Sequence, residues 1–149
     1  MKPQKVLPPT FFMGAAVVSV AVHFSLPGIA FVHYPVNLLG VIPIVVGGVL
    51  NIWADQIFKN AKTTVKPFEK PSALIVKGPF RMFRHPMYFG MLFILLGISI
   101  ICGSVMSLIG SIGFWIIIRI RFIPVEEQSM LDAFGSEYRD FTKRVLPWM

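Results

Sequence analysis

Acidic side chains are scarce in this sequence: seven Asp and Glu stand against fourteen Lys and Arg, for a formal net charge of +7. Charge of either sign is scarce as well, at 14% of residues against about 25% in soluble domains. With 55% hydrophobic residues in 149, a soluble fold would lack the polar surface to cover its core. The one cysteine, Cys102, excludes an internal disulfide. Set in an apolar run, it reads as a small buried hydrophobe. No Gly-x-Gly-x-x-Gly occurs, so a Rossmann-type nucleotide site is not indicated. His23, His33 and His85 are dispersed and give no metal-ligand spacing.

What is abundant is apolar sequence in long runs, the mark of membrane spans. The runs cover residues 10–32, 36–58 and 87–122, the last interrupted only by Arg119 and Arg121. A single helix over that last run would be about 54 Å long at 1.5 Å per residue, against a hydrocarbon core of about 30 Å. Splitting it at Cys102-Gly103-Ser104 predicts helices over 87–102 and 105–122. Lys2 and Lys5 resemble the start of a signal peptide, but no clear small-x-small cleavage site follows, and similar apolar runs recur downstream. The first run is therefore read as a retained helix.

The basic residues fall in three places: the N-terminal tail, the connector over 59–84, and the stretch from Arg119 onward. The connections at 26–37 and 102–107 carry none. Under the positive-inside rule this predicts an all-α integral membrane protein. It would have four transmembrane helices, both termini in the cytoplasm, and one domain over 1–149. The positive charge then reflects topology and attraction to anionic lipid. Nucleic-acid binding is not expected, since no separate basic domain exists.

Small residues recur at sevens: Gly14, Ala21, Gly28; Gly40, Gly47, Ala54; Gly90, Gly97, Ser104. Such faces let membrane helices approach closely. The last segment differs. Leu131, Phe134, Tyr138, Phe141 and Val145 step by three and four, which predicts an amphipathic helix over 125–145 lying on the cytoplasmic surface or against the bundle.

Polar groups gather at the cytoplasmic ends of the hairpin formed by the third and fourth helices. Closing it is expected to bring Arg84, His85 and Tyr88 to Arg119, Arg121, Glu126 and Glu127. Each residue also has a structural role open to it. Pro86 suits a first helical turn, Tyr88 an aromatic belt, Gly90 close packing, and the two glutamates a helix N-terminus. Arg119 and Arg121 could snorkel from a helix end.

The run Arg84-His85-Pro86-Met87-Tyr88-Phe89-Gly90, followed one hairpin later by Glu126-Glu127, resembles the membrane methyltransferases. These comprise isoprenylcysteine carboxyl methyltransferases and phospholipid N-methyltransferases. The likeness extends from Thr63-Thr64-Val65-Lys66-Pro67 through Lys77-Gly78-Pro79-Phe80-Arg81 to Phe134-Gly135-x-x-Tyr138, and it does not choose between the two subfamilies. It implies S-adenosylmethionine as methyl donor, bound on the cytoplasmic side by the last helices. His85, Tyr88, Gly90, Glu126 and Glu127 are then the expected donor-binding residues, with Arg84, His85 and Arg119 catalytic. The chemistry is compatible: a sulfonium suits carboxylates and aromatic faces, a donor carboxylate suits Arg, and a ribose diol suits Glu.

The reading reached is methyl transfer to a lipid-like acceptor, an isoprenylcysteine-type carboxylate, in a multi-pass cell (inner) membrane protein whose site faces the cytoplasm. The alternatives are a phospholipid N-methyltransferase and, from another class, a small four-helix transporter. Transporters carry ionisable residues at mid-membrane, whereas here the polar groups cluster at one face.

Overall fold

The structure is a computed structural model that describes residues 7–26, 28–63 and 71–145. The N-terminal lysines Lys2 and Lys5, and Thr64-Val65-Lys66-Pro67 of the connector, lie outside the described residues.

Five helices carry the fold: α1 (Pro8–Ser25), α2 (Val41–Asn60), α3 (Pro86–Cys102), α4 (Leu108–Ile117) and α5 (Ile123–Arg144). Short 3-10 turns lead into α2 (Val36–Gly40) and α4 (Val105–Ser107), and a third (Gly78–Arg81) precedes α3. No strand is present among the described residues beyond one isolated bridge, Ala30 to Ser104. Three helical stretches are long and apolar enough to cross a membrane, and α3 is a shorter apolar helix of 17 residues. Val45, Val49, Ile52 and Trp53 of α2 are half or more exposed. A helix in water would turn such a face inward; a helix in lipid leaves it outside.

Two of the small-residue sets act as expected. A Cβ on Gly97 would stand 2.5 Å from the Gly40 carbonyl oxygen and 2.6 Å from Ile44 Cγ1. One turn pair further on, Gly47 and Gly90 press each other's backbones in the same way. So α2 and α3 meet backbone to backbone. The set on the first helix does not do this, since Gly14 faces open space. The α1–α4 contact is made instead where Ala15 and Ser19 meet Gly110.

Two helix boundaries differ from expectation. The first helix ends at Ser25 rather than continuing to residue 32. Leu26 leaves the helix at φ −124° and ψ 89°, because a residue before proline, here Pro27, is pushed out of the helical region. The chain then crosses the α3–α4 turn, with Phe31 N–H donating to the Gly103 carbonyl and Val105 N–H to that of Ile29. Gly103, at φ 70°, ends α3 in the left-handed region and leaves no room for a side chain beside the Val32 carbonyl.

The second difference bears on the site. The last apolar helix and the amphipathic helix are not separate, because the chain runs from α4 through a π-helical turn (Ile118–Phe122) into α5. Pro124 explains the turn: it brings no N–H and its ring crowds the carbonyl one turn back. The ladder widens instead, with Ile123 N–H donating to the Ile118 carbonyl five residues earlier. The real break lies inside the amphipathic segment, at Gly135 (φ 51°, ψ −117°). Beyond it, Tyr138, Phe141 and Val145 pack with Leu74 of the connector.

Candidate functional site

His85 stands immediately before α3, at φ −126° and ψ 62°, with Pro86 opening the helix. The π-turn delivers Glu126 and Glu127 to the first turn of α5, directly opposite. His85 Nδ1 lies 3.5 Å from Glu126 Oε2, and Nε2 lies 3.6 Å from Glu127 Oε1. Both separations exceed hydrogen-bond length, so they are charge pairs only. The Tyr88 ring stacks on the imidazole at 5.7 Å between centroids. Arg84 donates to Glu127 Oε1 at 3.2 Å and to the Thr142 carbonyl at 2.7 Å, tying the connector to both ends of α5.

The imidazole is only 7% exposed. Burial alone pushes its pKa down, but the Glu126 carboxylate, assisted by Glu127, outweighs burial and holds it at about 9. His85 is therefore a cation at neutral pH. Pairing with His85, and then with Arg84, holds the Glu127 carboxyl below the usual range in spite of burial. Burial, with the nearby Glu127 and Glu126 charges, pushes the Tyr138 phenol up. It stays protonated.

Four polar groups here are buried without a hydrogen-bond partner: Arg84 Nε, both His85 nitrogens and Glu126 Oε2. Buried polar atoms are nearly always satisfied, so the cluster is chemically incomplete. Two cavities meet on it, sharing Phe58, Phe80, Arg84, His85 and Glu126. One, with about 590 Å³ of empty space up to its mouth, extends along Met87, Tyr88 and Met91 of α3 to Leu7, Pro8 and Pro9. The other, about 360 Å³, lies beneath Leu74 and Ile75 of the connector and Met130, Tyr138 and Phe141 of α5.

Arg84, His85, Tyr88, Glu126 and Glu127 thus come together as the sequence predicts. Arg119 and Arg121 do not. The widened turn sends Ile118 and Phe122 into the core and leaves both arginines exposed, with the Arg119 guanidinium 5.6 Å over the Trp115 ring. Gly90 faces Asn51 and Gly47 of α2, so its small size serves helix contact rather than the cavities. Phe58, Phe80 and Tyr138 line the cavities and were not expected there. The sequence did carry a signal for the last two, in Gly78-Pro79-Phe80 and Phe134-Gly135-x-x-Tyr138, but the helical spacing of Tyr138 looks like plain packing.

The profile of the phospholipid methyltransferase family matches residues 36–137. The chain belongs to that family. Among curated relatives, it is 27% identical over 116 residues to a probable protein-S-isoprenylcysteine O-methyltransferase of Oryza sativa subsp. indica, covering 76% of this chain and 60% of the relative. It is 28% identical over 118 residues to protein-S-isoprenylcysteine O-methyltransferase A of Arabidopsis thaliana, covering 76% and 58%. The chain therefore spans about three-fifths of the relatives' length. The fold matches that of the eukaryotic intramembrane Ras methyltransferase, isoprenylcysteine carboxyl methyltransferase, with a TM-score of 0.70 and 22% identity over 95% of this chain and 51% of that one. Family, fold and apolar helices together make this an integral membrane protein.

Proposed function

We propose that this protein is a methyltransferase that uses S-adenosylmethionine to methylate a lipid-like carboxylate, of isoprenylcysteine type, at the cytoplasmic membrane face. The observation that carries the reading is the incomplete cluster of His85, Glu126 and Arg84, buried where two cavities meet. The family and its relatives support the class of reaction. In this reading α1, α2, α3 and the continuous helix from α4 through the π-turn span the bilayer, with both termini cytoplasmic and the cluster at the inner headgroup level.

The residues present fit the donor. Glu126 and Glu127 are acceptors for a ribose diol and counter-charges for a sulfonium. The protonated His85 and the free Nε of Arg84 suit its carboxylate. Phe58, Phe80 and Tyr138 give aromatic surface for an adenine or a cation. Bound there, S-adenosylmethionine supplies an electrophilic methyl group on sulfur. The charged cluster where the two cavities meet suits this polar donor. The cavity along Met87 and Met91 suits an apolar acceptor arriving from the bilayer.

The curated relatives, isoprenylcysteine O-methyltransferases, favour a carboxylate acceptor. A carboxylate is ionised at neutral pH and needs no base. A protonated headgroup amine must first lose a proton to a base such as the Glu126 carboxylate. The chain's own contribution is then alignment and exclusion of water around the reacting groups.

Calorimetry with S-adenosylmethionine on the purified protein tests donor use, and absence of binding sinks the proposal. With membranes and labelled donor, base-labile product marks an ester, whereas base-stable label transfers the reading to phospholipid N-methylation. A cysteine at Lys77→Cys should react only from the cytoplasmic side; labelling only from the opposite side overturns the topology.

A further inference from the structure

Apart from the two cavities at the His85 cluster, an open groove lies between the connector and the end of α5. Leu74, Val76, Phe141 and Val145 form its apolar surface, and Arg81, Arg144 and Glu137 its polar rim. All three charged residues are exposed. None has an ion-pair or hydrogen-bond partner among the described residues. Two other surface cations near this end are paired, Lys143 with Asp140 at 3.1 Å and Lys59 with Asp55. Two open guanidiniums over an apolar floor, with Lys77 exposed next to Val76, leave the groove positive even after Glu137 is counted.

Its position narrows the occupant. Arg81 lies four residues before His85 and five before the first residue of α3, hence at the level where that helix leaves the hydrocarbon. Val76 and Met82 beside it are 46% and 63% exposed. Apolar side chains interleaved with unpaired arginines match the boundary between acyl chains and headgroups. A guanidinium also presents a planar fork that matches phosphate oxygens.

We propose that this groove holds the phosphate of an anionic phospholipid of the inner leaflet, clamped by Arg81 and Arg144 with its glycerol on Val76 and Leu74. The site docks the end of α5 onto the membrane. The inference rests on the membrane reading of the helices and not on the methyltransferase chemistry.

The test is native mass spectrometry of the protein released from vesicles of equal phosphatidylglycerol and phosphatidylcholine. The parent should retain phosphatidylglycerol roughly tenfold over phosphatidylcholine. The Arg81→Gln, Arg144→Gln pair should fall to parity, and Lys143→Gln should keep the preference. Val76→Asp puts a carboxylate into the groove and should abolish the preference alone, which serves if the Gln pair folds poorly. The proposal is overturned by a parent without preference, by Gln variants that keep it, or by Lys143→Gln losing as much, which means diffuse attraction only. Displacement of the lipid by millimolar inorganic phosphate or by an acidic peptide overturns it too, in favour of a soluble ligand. S-adenosylmethionine affinity should stay unchanged in the variants, which separates failure here from failure of the proposed activity.

Discussion

The two ends of the helix bundle solve the problem of buried polar groups in opposite ways. At the Cys102 end the buried groups include neutral serines that mostly bond to backbone, while Asn37 Oδ1 has no partner among the described residues. Ser99 Oγ donates to the Leu95 or Ser107 carbonyl, and Ser107 Oγ to that of Ser99 or Ser104. Asn37 donates across to the Ile101 carbonyl. At the His85 end the buried groups are charged, stand 3.5 and 3.6 Å apart, and face open cavities. One end is closed for packing, where a satisfied hydroxyl costs little. The other keeps charge near the membrane, which is costly unless a partner arrives. The difference teaches where stability resides and where binding is expected.

The largest expected effect comes from breaking the closed part. Gly97→Leu drives a side chain into the Gly40 carbonyl and Ile44. Overpacking of this kind costs about 1–3 kcal/mol and sometimes more. The folded yield in detergent should collapse, whatever donor is added. Normal yield and melting temperature would show that α2 and α3 do not meet there.

A pH titration sharpens the contrast next. His85 has its folded pKa raised from 6.5 to about 9. The stability it contributes is complete below pH 6.5 and is lost as pH climbs through about 9. The loss amounts to at most about 3 kcal/mol. The parent's melting temperature should therefore fall across this window, and His85→Gln should flatten that part of the profile. Identical profiles for the two proteins sink the charged pairing.

Third are Glu126→Gln and Glu127→Gln, which remove charge but keep shape. At least one should lower S-adenosylmethionine affinity about tenfold or more, from loss of a charge-assisted hydrogen bond of about 1.5–3 kcal/mol. The melting temperature without donor should move little. Two variants that bind like the parent would falsify the donor role of the pair.

The smallest effect belongs to Arg119→Gln. Its guanidinium lies over Trp115 and lines neither cavity. Turnover should change less than about twofold, matching an exposed contact worth under about 1 kcal/mol. A loss of a hundredfold would return Arg119 to the site.

Much of this was readable in one dimension. Helical class and apolar spans follow from run length, because a bilayer admits helices of that length with their backbones satisfied. The encounter of Arg84, His85 and Tyr88 with Glu126 and Glu127 follows from two polar motifs flanking one tight hairpin. The seven-residue spacing of Gly40, Gly47, Gly90 and Gly97 placed small residues at the α2–α3 contact, since two helical turns return a residue to nearly the same face. Tertiary structure decided the rest. Whether a small residue meets a neighbour depends on which helix lies opposite, so Gly14 stands open while Gly110 is pressed against Ser19. The π-turn before Pro124 rotates everything after it relative to α4, so that Glu126 faces His85 while Arg119, on the turn itself, stays exposed. The break at Gly135 depends on a left-handed φ that the helical spacing around it conceals, yet it carries Tyr138 over the cavity. Periodicity reports which face a residue occupies on an unbroken helix. One added residue in a turn, or one reversed φ, changes what that face meets, and only the packed chain decides it.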